Sequence, residues 1–207
     1  MPKQESPLTE LARFMPPNTF EVVAPFFHAH TIHLTLTHHR RSLHGDYRPP
    51  TRQHPFHRIS VNASLNPYSF FITLLHEIAH LTTTVEYGLK AAPHGKEWKS
   101  EFRKILMPLM GRNIFPRDVE SALRSYLHNP AASTCTDPQL YKALAGHDVR
   151  EDGSVHADAV PIGGRFELGG RTFVKLENLR TRSRCKDEAS GKLYFVQGVA
   201  EVRVLVD

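Results

Sequence analysis

Residues 76–80 read His-Glu-Ile-Ala-His. Two histidines four apart share one helical face about a turn apart, so both imidazoles can reach one metal ion. Zinc is the ion expected for such nitrogen donors. Glu77 falls beside the first histidine and near the metal without ligating it. From there its carboxylate can take a proton from a water whose pKa zinc lowers from about 15.7 to about 7. It can then pass that proton to a leaving amine. The pattern is one of hydrolytic chemistry.

A catalytic zinc usually keeps three protein ligands and one open position. His94, downstream of His80, is the first candidate for the third ligand, because a connector of that length can leave one helix and return beside the metal. Gly95 is expected to supply the tight turn before the next helix. Glu97, Glu101 and Glu86 compete for the same role.

The surrounding pattern must hold these groups in place. Asn66 is a good N-cap and Pro67 sits at the favoured first helical position. Phe71, Leu74, Leu75, Ile78 and Val85 recur at helical spacing, and Gly88 is a natural stop. Trp98, Phe102, Ile105, Leu106 and Leu109 mark a second helix ending at Gly111, and residues 116–127 a third. Upstream, residues 8–27 read as short helical pieces broken at Pro16-Pro17. Alternation over 31–37 and 58–62 predicts two strands, with another at 43–47. Residues 129–165 are polar and loop-like, with a short helical stretch at 139–144. Residues 166–206 read as a β meander, with a hairpin at Gly169-Gly170 and a turn at Ser190-Gly191.

The chain has 207 residues, with 40% hydrophobic and 23% charged, which suits a folded, water-soluble protein of one domain plus an appendage. No apolar run is long enough for a membrane span, and the start lacks the apolar core of a secretory signal. A cytoplasmic protein without membrane attachment is the expectation. Two cysteines, Cys135 and Cys185, provide neither a disulfide framework nor a four-cysteine zinc site. They face each other or join His147 or His156 in a mixed site, or hold no metal, which is the favoured reading because no CxxC is present.

The net charge is +5, and it is unevenly spread. Residues 1–128 carry 15 Lys and Arg against 10 Asp and Glu, whereas residues 129–207 carry 11 of each. A basic surplus suits a polyanion. Arg40 and Arg41 form one basic cluster. Arg180, Arg182, Arg184 and Lys186 occupy every second position, and on a strand they would share one face. They are the candidate DNA contacts, set against a plain solvated strand face.

Leu74-Leu75-His76-Glu77-Ile78-Ala79-His80, followed by His94-Gly95-Lys96-Glu97-Trp98, resembles the SprT-like zinc metalloproteases, the family that includes Spartan. The upstream strands and the 43–47 segment fit the same pattern. The resemblance covers roughly residues 20–128. It implies His76, His80 and His94 as ligands of one zinc per chain, Glu77 as the catalytic acid and base, and a compact zincin-like α+β protease domain. It also implies a protein or peptide substrate and, by analogy, a role in DNA–protein crosslink repair. Family members with a four-cysteine zinc ribbon after the protease domain differ from this chain, whose C-terminal region resembles such a ribbon's β scaffold without its cysteines. The expected organisation is a tail and short helix over 1–19, a protease domain over 20–128 and a small antiparallel β subdomain over 129–207. The competing readings are a non-catalytic DNA- or protein-binding module that keeps its zinc, and a metallohydrolase acting on something other than peptides.

Overall fold

The structure is a computed structural model that describes residues 7–37, 44–128, 130, 137–148, 154–179 and 182–205. It is mixed α+β, as expected, and its contacts divide it into two units, Met1–Asp148 and Val149–Asp207.

The first unit opens with a 3-10 helix, Leu8–Phe14, and α1, Phe20–Ala29. Three strands follow: β1 (Ile32–Thr37), β2 (Gly45–Arg48) and β3 (His57–Asn62). Their order is β1-β3-β2, with β1 parallel and β2 antiparallel to the central β3, so β2 is an edge strand. Helix α2, Pro67–Tyr87, is the spine of this unit. The Asn66 side chain accepts from Ser69 N at 3.0 Å, capping the helix as its sequence predicts.

The apolar stripe expected on α2 is wider in the structure. Phe70, Ile72 and Leu81 are fully buried along with Phe71, Leu74, Leu75 and Ile78, whereas Val85 is 52% exposed. A helix apolar on most of its circumference is surrounded on most sides. The sheet, α3 (Lys96–Leu106) and the N-terminal segments contribute to the core around it. A short 3-10 turn, Met107–Leu109, extends α3, and Gly111 follows at φ +78°. Helix α4 spans Arg117–His128.

The contact boundary at Asp148 lies beyond the 128/129 boundary expected from the change in texture. The reason is α5, Pro138–Ala145, capped by the Asp137 carboxylate on Gln139 N and Leu140 N. Leu140 and Leu144 join the core of the first unit. Asn66 Nδ2 donates to Leu144 O at 2.9 Å and Asp148 Oδ1 at 2.5 Å, so one side chain both starts α2 and anchors the end of α5.

The second unit is a six-stranded antiparallel sheet. Its strands are β4 (Ser154–His156), β5 (Arg165–Leu168), β6 (Arg171–Asn178), β7 (Arg182–Asp187), β8 (Leu193–Gln197) and β9 (Glu201–Leu205). The order is β4-β9-β5-β6-β7-β8. Gly169 and Gly170, at φ +60° and +74°, make the hairpin turn between β5 and β6, a conformation that favours glycine. Its small core holds Phe166, Phe173, Val196, Val202 and Cys185.

Lys175, which alternation alone would not mark as special, is fully buried in this unit. Its ammonium donates to the carbonyls of Ala157, Asp158 and Val160 at 2.8, 2.9 and 2.5 Å. Three charge-assisted bonds offset the cost of burying the cation. They fasten the loop after β4 to the sheet.

If α5 belongs to the first core, Leu140→Ala lowers stability by about 2–4 kcal/mol in urea unfolding. A loss under about 0.5 kcal/mol contradicts that assignment.

Candidate metal centre

Helix α2 presents His76 and His80 one turn apart, with Glu77 between them on the buried side. Gly88 ends the helix at φ +75°, and its N–H bonds Thr84 O at 3.0 Å. The connector then brings His94 back. His94 itself takes the left-handed conformation, at φ +57°, while Gly95 is extended at φ −71°. The tight turn expected at Gly95 is therefore made one residue earlier. Gly95 is constrained instead by space, since a Cβ there would stand 3.0 Å from Ala92 O. Its carbonyl accepts from Lys99 N at 3.0 Å and starts α3.

The three imidazoles meet through the same atom. His94 Nε2 lies 3.1 Å from His76 Nε2 and 2.9 Å from His80 Nε2. Among the described residues, these three form the group able to hold a metal ion, with ligand atoms all within 4.8 Å of one another. Tetrahedral zinc with bonds of 2.0–2.1 Å would set such nitrogens about 3.3 Å apart. The observed separations are a few tenths shorter, so the donor set fits a small cation.

The rivals of His94 are engaged elsewhere. Glu101 accepts from Lys104 at 2.6 Å, Glu97 pairs with Lys96 at 3.7 Å, and Glu86 is exposed.

The wall behind the imidazoles is Trp98, fully buried in the first turn of α3. Its ring centroid lies 4.6, 5.3 and 4.8 Å from those of His76, His80 and His94. Phe102 stacks on it at 4.9 Å and also meets the His76 ring at 5.7 Å. In this dry surrounding, burial first, and then the neighbouring imidazoles, push His76 down to about 2. Burial and His94 push His80 down to about 4, partly opposed by Asp46. The histidines are thus held neutral, the form that ligates a metal.

Strand β2 closes the other side. Gly45 packs so tightly on α2 that a Cβ would stand 2.5 Å from Glu77 Oε1 and 2.7 Å from Thr73 Cγ2. Two residues on, Tyr47 lays its ring parallel to that of His80, at 6.1 Å and 6°. Its hydroxyl is 2.9 Å from His57 Nδ1. Between them, Asp46 accepts from Arg48 Nε at 2.8 Å. Burial, reinforced by the charge of Asp46, pushes Glu77 up to about 8 in the metal-free chain. The roles of Gly45, Asp46 and Tyr47 escaped the reading of residue types. The available signal was a glycine inside a short strand, which marks close backbone approach.

The other candidates lie apart from this centre. Arg40, Arg41, Arg180 and Cys135 fall outside the described residues. Arg182 and Arg184 lie on the exposed face of β7 in the second unit. Cys185 is buried there with its thiol pushed up by burial. In the first unit His147 Nε2 sits 3.2 Å from Asp118 Oδ2. Among the described residues, no helix is long and apolar enough to cross a membrane.

Two outcomes test this arrangement. Gly45→Ala keeps the metal, because no ligand moves, but lowers stability by about 1–3 kcal/mol through overpacking. Unchanged stability contradicts the close packing of β2 on Glu77. The second test is the pH dependence of the metal-free chain. Below about 6.5 the unfolded state binds protons that buried His76 and His80 refuse, so stability falls towards pH 5. Between 4.5 and 8 the folded state retains the Glu77 proton that the unfolded state has lost, so that group's contribution falls as pH rises. The melting temperature in chelator therefore peaks near pH 6.5, and Glu77→Gln removes the descending limb. A descending limb that persists in Glu77→Gln contradicts the assignment.

In comparisons with known proteins, no family model, no curated protein and no solved structure matches this chain.

Proposed function

We propose that this chain is a zinc-dependent endopeptidase of the SprT-like type, its first unit a zincin-like protease domain. The observation that carries this reading is the convergence of His76, His80 and His94 through Nε2 with the buried carboxylate of Glu77 alongside. Three nitrogen donors, with no fourth in the cluster among the described residues, suit a catalytic zinc, whereas a structural zinc is normally closed by four ligands.

His76, His80 and His94 would hold the ion, and Trp98 and Tyr47 keep the imidazoles in place by ring contact. When bound, zinc supplies a Lewis acid that makes water acidic and polarises a carbonyl. Glu77 moves the proton. As a carboxylate it accepts one from the attacking water, and as an acid it returns it to the amine nitrogen of the broken peptide bond. Burial and Asp46 raise its proton affinity in the metal-free chain, and a bound cation would act in the opposite direction. A module that only binds would have no use for a carboxylate so placed, which favours the enzyme over the binding module.

The test is cleavage of an unfolded protein substrate by the zinc-loaded chain and by Glu77→Gln. The variant is expected to keep its zinc and its melting temperature while losing about 10²–10⁴-fold in kcat. Equal cleavage by both, or none by the zinc-loaded wild type on any unfolded protein or DNA-bound protein, overturns the proposal.

A further inference from the structure

The sheet of the second unit ends on β8, which pairs with β7 alone. Where the two strands meet, Asp187 N donates to Lys192 O at 2.9 Å. Bonded pairs alternate along an antiparallel ladder, so Cys185–Tyr194 is the next bonded pair. The N–H and C=O groups of Leu193 and Phe195 therefore point away from β7, and among the described residues no strand receives them. Natural sheets blunt such an edge with charges, proline, a bulge or brevity. Strand β4, at the other end of this sheet, is only three residues long. Strand β8, Leu-Tyr-Phe-Val-Gln, has five residues with no charge, no proline and no break in its register with β7. Its outward side chains are apolar, Phe195 61% and Leu193 58% exposed. The strand beside it is basic. Arg182, Arg184 and Lys186 are exposed on β7, with Arg184 beside Phe195 and Lys186 beside Leu193. Glu177 of β6 stands 3.1 Å from Arg184. Among the described residues, the side chains of Arg182 and Lys186 have no ion-pair or hydrogen-bond partner.

We propose that the β8 edge binds an acidic, extended segment of a partner protein by strand addition, the segment's backbone bonding Leu193 and Phe195 and its carboxylates facing Arg184 and Lys186. Strand addition draws its affinity from main-chain hydrogen bonds and its specificity from alternate side chains. An added strand lies about 4.8 Å beyond β8. Its outer side chains cover Leu193 and Phe195, within reach of the long cationic side chains one strand further in. The exposed apolar pair and the cation row together call for a segment that is extended and acidic. A second copy of β8 would complete the ladder but would bring a second row of cations to the same face. A nucleic acid would meet the cations but has no amides to complete the ladder. A neutral segment would leave the cations unpaired. This inference stands apart from the peptidase reading and uses no group of the metal centre.

The experiment is fluorescence anisotropy of the full chain with a labelled, end-capped peptide that alternates glutamate with valine, across a salt series. The same peptide is also used N-methylated at every second backbone amide, in either phase. In one phase the methyl groups remove ladder donors while keeping every charge, and binding is expected to weaken about tenfold. In the other phase they face away from β8 and are expected to be tolerated. Lysine in place of glutamate is expected to abolish binding. Arg184→Glu with Lys186→Glu is expected to weaken it about tenfold and to remove most of its salt dependence. Phe195→Pro deletes an edge donor without touching the β7 ladder, and is expected to abolish binding with the melting temperature retained. Amide hydrogen exchange of the unchanged protein tests the edge without any substitution, with exchange at Leu193 and Phe195 expected to slow when the peptide binds. No binding at low salt, equal binding of both N-methylated peptides, or protection confined to other segments overturns the proposal. So does a chain that self-associates through β8 and ignores the peptide, which would assign the edge to a second copy.

Discussion

Three imidazoles that converge on His94 Nε2, at 3.1 and 2.9 Å, with a buried indole against all three rings, form an arrangement that neutral histidines alone would not favour. Each neutral ring carries one proton and one lone pair. Where His94 Nε2 faces two others, a single proton or lone pair must be shared between two contacts, and protonation is suppressed by burial. A cation at the centre relieves the conflict by taking all three lone pairs. Much of the first unit can be understood as the means of imposing this unfavourable approach. The long buried α2 fixes two of the rings, the left-handed backbone at His94 turns the third inward, and Trp98 leaves them no room to swing out.

The same packing governs Glu77. Strand β2 approaches α2 closely enough that a Cβ at position 45 would displace the Glu77 carboxylate and the Thr73 methyl, so the carboxylate is pressed between strand and helix rather than free in a cleft. Burial and the Asp46 charge both act on its proton, and Arg48 is bonded to Asp46 in turn. Tyr47, on the same side of the strand as Gly45, reaches His80. A single edge strand of four residues thus touches both Glu77 and His80. The wide apolar surface of α2, the three-stranded sheet and α3 supply the stability that this strained centre consumes.

Much of this was legible in residue types and spacing. The i, i+4 histidines, the Asn66-Pro67 start and the Gly88 stop place α2 and two of the three clustered histidines from sequence alone. His94 could be named, but not singled out from Glu97, Glu101 and Glu86, because connector geometry is set by backbone angles that periodicity does not encode. The full burial of α2 was hidden for a related reason. Phe70, Ile72 and Leu81 interrupt the expected stripe, and only packing partners on several sides reveal why. Helix α5 was visible as a short apolar spacing, yet its membership of the first core depends on long-range contacts with Asn66 and α4. Lys175 shows the limit most plainly. A lysine in an alternating strand reads as a solvent residue until the three carbonyls that receive it are seen.

The most direct test of the central claim is metal content per chain, by elemental analysis, for the wild type and His94→Ala prepared without chelator and with zinc supplied. The account predicts one zinc in the wild type and its loss or marked weakening in the variant, with the fold retained by circular dichroism. A folded wild type that takes up no zinc, or a His94→Ala chain that holds zinc as tightly as the wild type, would contradict it.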